Sequence, residues 1–322
     1  MCKYILFYGD KKPEDNILIT NMFENTKKIN LCWTDLDVNN SFKIVEEQIK
    51  HGVEQIIFFG LEIGWDKLMI KTKDKYSNIK IKVVCNTLDS LLYYEYERNN
   101  FFKMLELSKK EVIDNIAFLK KGQYEVYKQL GYKCVYLMQN YRKNGDFELR
   151  NKNDNQINIG IYPLNYTWDK NIFNQLCIGK FVENSVINYN MLDERMKDFL
   201  DTMEIKNKED NIKSISENEI IEKISKNDII ISCSFTEYFH TMFFISMEMG
   251  VPCIIGNTSN LFNETEELKQ YVVTDAEDNA IINSKLVTRC LENKQKIILL
   301  YRNWKEKYDK IADESKKMFL NI

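Results

Sequence analysis

The chain has 322 residues, enough for two domains at roughly 150 residues each. Hydrophobic residues make up 44% and charged residues 29%, an ordinary composition for a folded protein that excludes a disordered chain. Lys and Arg number 45 against 48 Asp and Glu, a net charge of -3, so global attraction to nucleic acid is excluded, and two histidines, His51 and His240, exclude a multi-histidine metal site.

Short apolar runs alternate with longer helical patterns. Residues 4–8 (YILFY) read as a buried strand ending in Gly9-Asp10, followed by strands at 54–59, 79–85, 114–118 and 133–138. Helical segments lie between them at 40–51, 63–76, 87–109 and 122–130. The stretch 141–156 (YRKNGDFELRNKNDNQ) is the most polar in the chain and reads as an interdomain linker. The alternation then restarts. Strands are expected at 157–162, 183–189, 228–233, 251–255 and, briefly, 271–274. Helices are expected at 171–181, 217–225, 241–249, 277–292 and 294–320.

Alternation of this kind argues for α/β architecture with parallel sheets, in two similar Rossmann-like halves: residues 1–145, residues 156–300 and a closing helix from 301 to 322. Two such halves leave a cleft at the carboxyl ends of their sheets, where ligands bind. The 3 prolines and 11 glycines argue against an all-β fold. Eight cysteines occur with no C-x-x-C pair. Cys85 and Cys253 sit in apolar runs and read as small buried hydrophobes of a reducing cytoplasm. The opening MCKYILFYGD is too short for a signal peptide, and no apolar run reaches the length of a membrane span. The expected location is cytoplasmic, with at most peripheral contact at the inner membrane surface.

Chemistry concentrates in TEYFHTMFFISMEMGVPCIIGN, 236–257. It follows the strand DIIISC directly and places one acid, Glu237, in a short loop before a helix that starts near His240 and Thr241. The unpaired N–H groups and positive dipole end of such a helix suit a diphosphate, and the Thr241 hydroxyl would join the phosphate shell. Glu237, expected as an exposed residue, would accept hydrogen bonds from sugar hydroxyls. Gly250-Val251-Pro252 ends the helix and feeds the next strand.

This segment resembles the Glu-x7-Glu region of GT-B-fold glycosyltransferases, in particular the family 4 or group 1 type of bacterial surface-polysaccharide clusters. Glu237 matches the first Glu, and Met247, Gly250 and Pro252 fall at matching offsets. Residues 275–282, the helix through 291 and residues 301–319 resemble the family's closing helices, and the resemblance implies that the last helix, 301–322, crosses back to pack on the N-terminal domain. The likeness covers 155–322 and, more weakly, the whole chain. Trp168-Asp169-Lys170-Asn171, after the strand INIGIY, resembles the family's Lys-containing phosphate site. A Lys there neutralises a leaving nucleoside diphosphate; the plain alternative is a solvated helix-terminal Lys.

The resemblance implies a metal-independent hexosyltransferase of polysaccharide biosynthesis, retaining configuration. It implies no cofactor, a UDP- or GDP-sugar donor, and a glycan, lipid-linked or protein acceptor. Glu237 and Lys170 would be the catalytic pair. Tyr238, His240, Thr241, Asn171 and Asn257 would complete the donor site. The sequence departs from the pattern at Ile245, which stands where the family has its second, ribose-holding Glu. The alternative function is therefore a non-catalytic GT-B-fold accessory or glycan-binding protein. A nucleotide-sugar epimerase or polyol-phosphate transferase fits less well with two histidines.

Other candidates follow from position alone. Asn86, Thr87 and Asp89 stand after the strand IKIKVVC and would hold an acceptor, or cap a helix. Asp10 stands likewise after the first strand and would orient an acceptor hydroxyl, or cap a turn. Tyr94, Glu95, Glu97 and Arg98 read as a solvated helix face, and His51 as a helix C-terminal residue meeting the dipole. In the last helix Ile297, Tyr301, Trp304, Tyr308 and Ile311 form an apolar stripe flanked by Lys294, Lys296, Arg302, Lys305 and Lys307. Glu306, Asp309 and Asp313 interrupt the basic face, favouring core packing over a membrane-surface helix.

Overall fold

The structure, a computed structural model, describes residues 3–9, 19, 22–23, 26–31, 37–142, 156–163, 167–190, 193–210, 217–258 and 260–321. Asp10 and most of the expected linker, 143–155, lie outside the described residues. The chain forms two compact units, Met1–Asn140 with Lys310–Ile322, and Tyr141–Asp309.

The first unit is built on a parallel sheet of β1 (Tyr4–Tyr8), β2 (Lys27–Asn30), β3 (Gln55–Phe59), β4 (Lys80–Cys85), β5 (Asn115–Phe118) and β6 (Cys134–Tyr136), in the order β2-β1-β3-β4-β5-β6. Crossovers come from α1 (Val38–Lys50), α2 (Trp65–Lys75), α3 (Glu95–Lys109) and α4 (Lys121–Gln129). The apolar runs of β1, β3 and β5 are what a parallel strand covered on both faces requires. Phe7 and Phe58 lie 5.4 Å apart between ring centroids, and Trp65 at the start of α2 sits 5.3 Å beyond Phe58, all within the core. Asp37 caps α1 by accepting from Asn39 N, and His51 closes that helix as expected.

The expected helix 87–109 is interrupted. Asp89–Tyr93 is a 3-10 turn, Tyr94 is extended, and α3 begins at Glu95. Neither Thr87 nor Asp89 caps a helix. The expected solvated face is also engaged: Tyr96 donates to Glu62, Arg98 to the Leu92 carbonyl, and Glu97 accepts from Thr87.

The second unit repeats the plan with β7 (Ile157–Ile161), β8 (Ser185–Tyr189), β9 (Asn207–Glu209), β10 (Ile229–Ser232), β11 (Cys253–Gly256) and β12 (Val273–Thr274), parallel and in the order β12-β11-β10-β7-β8-β9. Its helices are α5 (Ile172–Phe181), α6 (Glu194–Thr202), α7 (Glu217–Ile224), α8 (Thr241–Glu248), α9 (Lys269–Val272), α10 (Ala280–Glu292) and the first part of α11 (Lys294–Asn321). All of Thr241–Met247 on α8 is buried. Phe239 and Phe244 stack at 4.7 Å, and Phe244 continues to Trp304 and Tyr308 of α11.

Helix α11 corrects the expected stripe. Ile297, Tyr301, Trp304 and Tyr308 are buried, but Ile311 is 53% exposed, and Ala312 and Phe319 take the core positions. At 3.6 residues per turn, the residue facing the core after Tyr308 is the fourth, not the third. Lys305, expected on the basic flank, is buried; its Nζ donates to the Tyr141 carbonyl at 2.9 Å and pairs with Asp309 at 2.5 Å. Within the first unit the helix end is held by Lys82 Nζ, which donates to the Phe319 carbonyl at 2.6 Å, and by Gln55 Nε2, which donates to the Leu320 carbonyl at 2.9 Å.

In both sheets the chain builds outward to one side and then returns to the other. The reversal falls between β1 and β3 in the first unit and between β7 and β10 in the second. Loops leaving the carboxyl ends of the two central strands diverge there and open a crevice.

Candidate functional site

The reversal in the second unit brings two sequence candidates together. Lys170 ends a 3-10 turn, Trp168–Lys170, in the segment after β7, and Glu237 lies in the loop after β10. The Lys170 Nζ stands 2.6 Å from Glu237 Oε1, with the two side chains 9% and 12% exposed. Glu237 was expected to be exposed. It is largely buried because the lysine meets it across the crevice. Asp169 adds a second carboxylate, its Oδ2 3.9 Å from the same Nζ. Its Oδ1 is buried and makes no hydrogen bond among the described residues.

The loops are held rigidly. Asn171 adopts the left-handed conformation at φ 55°, which Asn tolerates better than most residues, and stands at the N-cap of α5. Its Nδ2 donates to the Cys233 carbonyl at 3.0 Å and to the Glu277 carbonyl at 2.7 Å. Gln175, one turn into α5, donates to the Lys170 carbonyl at 2.5 Å and accepts from Cys233 N at 3.2 Å. Phe235 N donates to the Asp169 carbonyl at 2.8 Å. Each such bond contributes on the order of 1 kcal/mol, and together they fix the position of Lys170 relative to the loop of Glu237.

A third loop closes in after β11. Asn257 N donates to Glu277 Oε1 at 3.0 Å, and Asn257 Nδ2 to Asp275 Oδ1 at 2.7 Å. A side chain at Gly256 would put its Cβ 2.8 Å from Glu277 Cγ and 2.9 Å from the Ser234 carbonyl, so glycine is what lets these segments meet. Tyr238 is half-buried, while His240 at the N-cap of α8 and Thr241 behind it are buried; α8 has no side-chain cap. Trp168 and Phe235 form an exposed aromatic pair beside the ion pair, their centroids 6.4 Å apart. Burial pushes the Cys233 and Cys253 thiols well up and the Cys290 thiol up to about 12, so none of these is a ready nucleophile.

Ile245 is fully buried on α8, and Glu248 accepts a hydrogen bond from Tyr301 OH at 2.8 Å. The offset that carries the second Glu in the family pattern is therefore a core position in this chain. The sequence reasoning missed Gln175 and Glu277, whose partners depend on tertiary proximity, and gave Asp169 no role although it adjoins Lys170.

In the first unit, Asn86 packs over Gly60, where a Cβ would meet its Oδ1 at 2.6 Å. Thr87 Oγ1 donates to Glu97 at 2.7 Å, and Asp89 Oδ1 accepts from Gln123 at 3.2 Å and Tyr127 at 3.1 Å. Glu62, after β3, was not foreseen. A Cβ on Gly9, which follows β1, would lie 3.3 Å from Glu62 Cγ, and the carboxylate accepts from Tyr96 OH at 2.7 Å, so Glu62 marks the reversal between β1 and β3. Among the described residues no group of three or more His, Cys, Asp or Glu is placed to hold a metal ion.

No family model matches the chain, and no curated protein matches it by sequence. Solved structures do match. HepE from Anabaena, in complex with UDP and glucose, superposes at a TM-score of 0.67 with 10% identity over 99% of this chain and 100% of that one. Sucrose-phosphate synthase from Thermosynechococcus elongatus gives 0.64 with 12% identity over 98% and 86%. A putative UDP-N-acetylglucosamine 2-epimerase from Listeria monocytogenes gives 0.56 with 12% identity over 93% and 91%. The protein thus has the α/β fold of GT-B glycosyltransferase structures. At these identities the likeness is one of fold.

Proposed function

We propose that the protein is a glycosyltransferase that moves a hexose from a nucleotide-sugar to a glycan, lipid-linked or protein acceptor, with retention and without a metal. The observation that carries this is the Lys170–Glu237 pair at the strand reversal of the second unit, held at 2.6 Å. A reversal of this kind is where α/β sheets bind ligands. Lys170 neutralises the charge that develops on the departing diphosphate, aided by the N-terminus of α8 and the Thr241 hydroxyl. Glu237 accepts hydrogen bonds from sugar hydroxyls, and Tyr238, His240, Asn171 and Asn257 shape the donor site around it. UDP-sugars are the first donors to try, because HepE structures hold UDP and UDP-glucose.

Acceptor binding belongs to the first unit in this reading, at Asn86, Glu62 and the segment of Asp10, with Thr87 and Asp89 bracing the helices behind. A cytoplasmic location fits the observation that no described helix is long and apolar enough to cross a membrane. The non-catalytic reading rested on Ile245. As a core residue, Ile245 is not evidence against donor binding.

The test is release of nucleoside diphosphate from UDP-glucose, UDP-galactose, UDP-N-acetylglucosamine and GDP-mannose, followed by a coupled assay. Lys170→Met and Glu237→Gln should each lower turnover by about 100-fold or more, the scale of losing one preorganised charge stabiliser. Equal turnover in all three proteins contradicts the assignment.

A further inference from the structure

Two large aromatic side chains stand outside the core at the reversal of the second unit. Trp168 is 55% exposed and Phe235 40% exposed, with ring centroids 6.4 Å apart and planes tilted by 33°. Single exposed aromatics are common, but two in contact make an apolar patch, which marks a contact surface. One ring comes from each of the loops that carry the ion pair. Trp168 opens the 3-10 turn that Lys170 ends, and Phe235 stands two residues before Glu237. The backbone beneath the rings is fixed. Phe235 N donates to the Asp169 carbonyl at 2.8 Å, and Asn171 N to the Trp168 carbonyl at 3.1 Å. Asp169 and Thr236, the next residue on each loop, are buried, while the two rings face outward.

We propose that Trp168 and Phe235 form a stacking platform for the hexose of the donor and select sugars of gluco configuration. The inference rests on the donor-site reading above and adds which hexose that site takes. The hexose is the part of a nucleotide-sugar that both loops must reach, because it is bonded to the diphosphate at Lys170 and hydrogen-bonded at Glu237. The nucleobase lies a ribose and a diphosphate away from it. Aromatic faces carry the negative part of the ring quadrupole and attract the weakly positive hydrogens of a sugar's C–H bonds. Aromatic surface combined with a few polar groups is the usual makeup of a small-molecule site.

Stacking needs a sugar face free of hydroxyls. In an α-linked donor the diphosphate stands axial at C1 and blocks one face of the pyranose. On the opposite face the axial positions of C2 and C4 carry only hydrogen in glucose. Galactose places an axial hydroxyl there at C4, and mannose one at C2. Either hydroxyl would lose water against an apolar ring without gaining a hydrogen bond, an unfavourable exchange.

Calorimetric titration tests this with two donor pairs and with UDP and GDP alone. UDP-glucose and UDP-galactose differ only at C4; GDP-glucose and GDP-mannose differ only at C2. The wild type is compared with Trp168→Phe, Trp168→Leu, Phe235→Leu and Lys170→Met. With the nucleotide it prefers, the wild type should bind the glucose donor about tenfold tighter than its epimer, within the range of stacking on one aromatic side chain. That arm needs no variant to fold. Trp168→Leu should weaken the glucose donor about tenfold, leave the bare nucleotide unchanged and erase the preference over the epimer. Phe235→Leu should do the same in smaller measure, and Trp168→Phe, which keeps a ring, should retain most of the preference. Equal binding of the epimers by the wild type, or a preference that survives Trp168→Leu, overturns the platform while leaving the donor site standing. Equal weakening of bare nucleotide and sugar donor in Trp168→Leu also overturns it, since the ring then holds the nucleobase. Binding of neither UDP nor GDP, or binding unchanged by Lys170→Met, overturns the donor-site reading and the platform with it.

Discussion

Ile245→Glu restores the acid of the family pattern and places it inside the protein. Ile245 is 0% exposed, on a helix whose residues 241–247 are all buried and whose Phe243 and Phe244 pack against Phe262, Tyr301, Trp304 and Tyr308. Removing a fully buried isoleucine costs about 1.5–3 kcal/mol of burial. A carboxylate at the same place adds an unpaired polar group or charge, worth several kcal/mol more. The sum, about 5 kcal/mol, is comparable with the whole stability of many domains. Ile245→Leu, which preserves volume and polarity, should cost less than about 1.5 kcal/mol. Urea unfolding followed by tryptophan fluorescence, with UDP titration of each soluble variant, separates the outcomes. The Glu variant should unfold at much lower urea or fail to fold, and the Leu variant should keep both its midpoint and its nucleotide affinity. A Glu variant with the wild-type midpoint and tighter UDP binding would refute the core placement and put residue 245 in the donor site.

Asn171→Ala loses three side-chain hydrogen bonds, the two that its Nδ2 donates and the one its Oδ1 accepts from Asn174, about 1 kcal/mol each, and adds about 1 kcal/mol of left-handed backbone strain. Asn171→Gly loses the bonds but not the turn, so thermal unfolding should rank Asn above Gly above Ala; an Ala variant as stable as the wild type would contradict the bracing role. Burial lowers Lys82 to about 8 from its ordinary 10.5. Between those values the unfolded chain holds more protons on this residue than the folded one, so the contribution of Lys82 to stability rises with pH across that window. In Lys82→Met that rise is absent. The stability of the variant relative to the wild type should therefore fall between pH 7.5 and 10 in urea titrations, and parallel profiles would contradict the burial of a charged amine.

The strands at the centre of each sheet were readable because both of their faces are covered, which leaves near-continuous apolar runs such as QIIFF and IIIS. The edge strands β2 (KKIN) and β9 (NKE) were missed, being three or four residues that are polar apart from Ile29, with no alternation to see. Helix α6 was missed as well, although Asp193 caps it by accepting from Met196 N. Lys170 and Glu237 were each legible from the element they follow. Their mutual bond was not, because it depends on β10 lying beside β7, a neighbour relation across 67 residues. Gln175 and Glu277 are invisible for the same reason, and Glu62 becomes meaningful only once β3 is known to lie beside β1. At Ile245 the offset pointed to a ligand position while the surrounding residues, MFFISM, pointed to the core; the local composition was the better guide.

The central claim is that the second unit binds the diphosphate of a nucleotide at Lys170. Thermal unfolding of the wild type and Lys170→Met with UDP, GDP, CDP and dTDP measures it directly. A nucleotide at 100 times its dissociation constant adds about 2.7 kcal/mol of stability, which shifts the midpoint of domains of this size by several degrees. The account predicts such a shift for at least one nucleotide, UDP first, and its loss in Lys170→Met. No shift with any of the four, or the same shift in Lys170→Met, would contradict it.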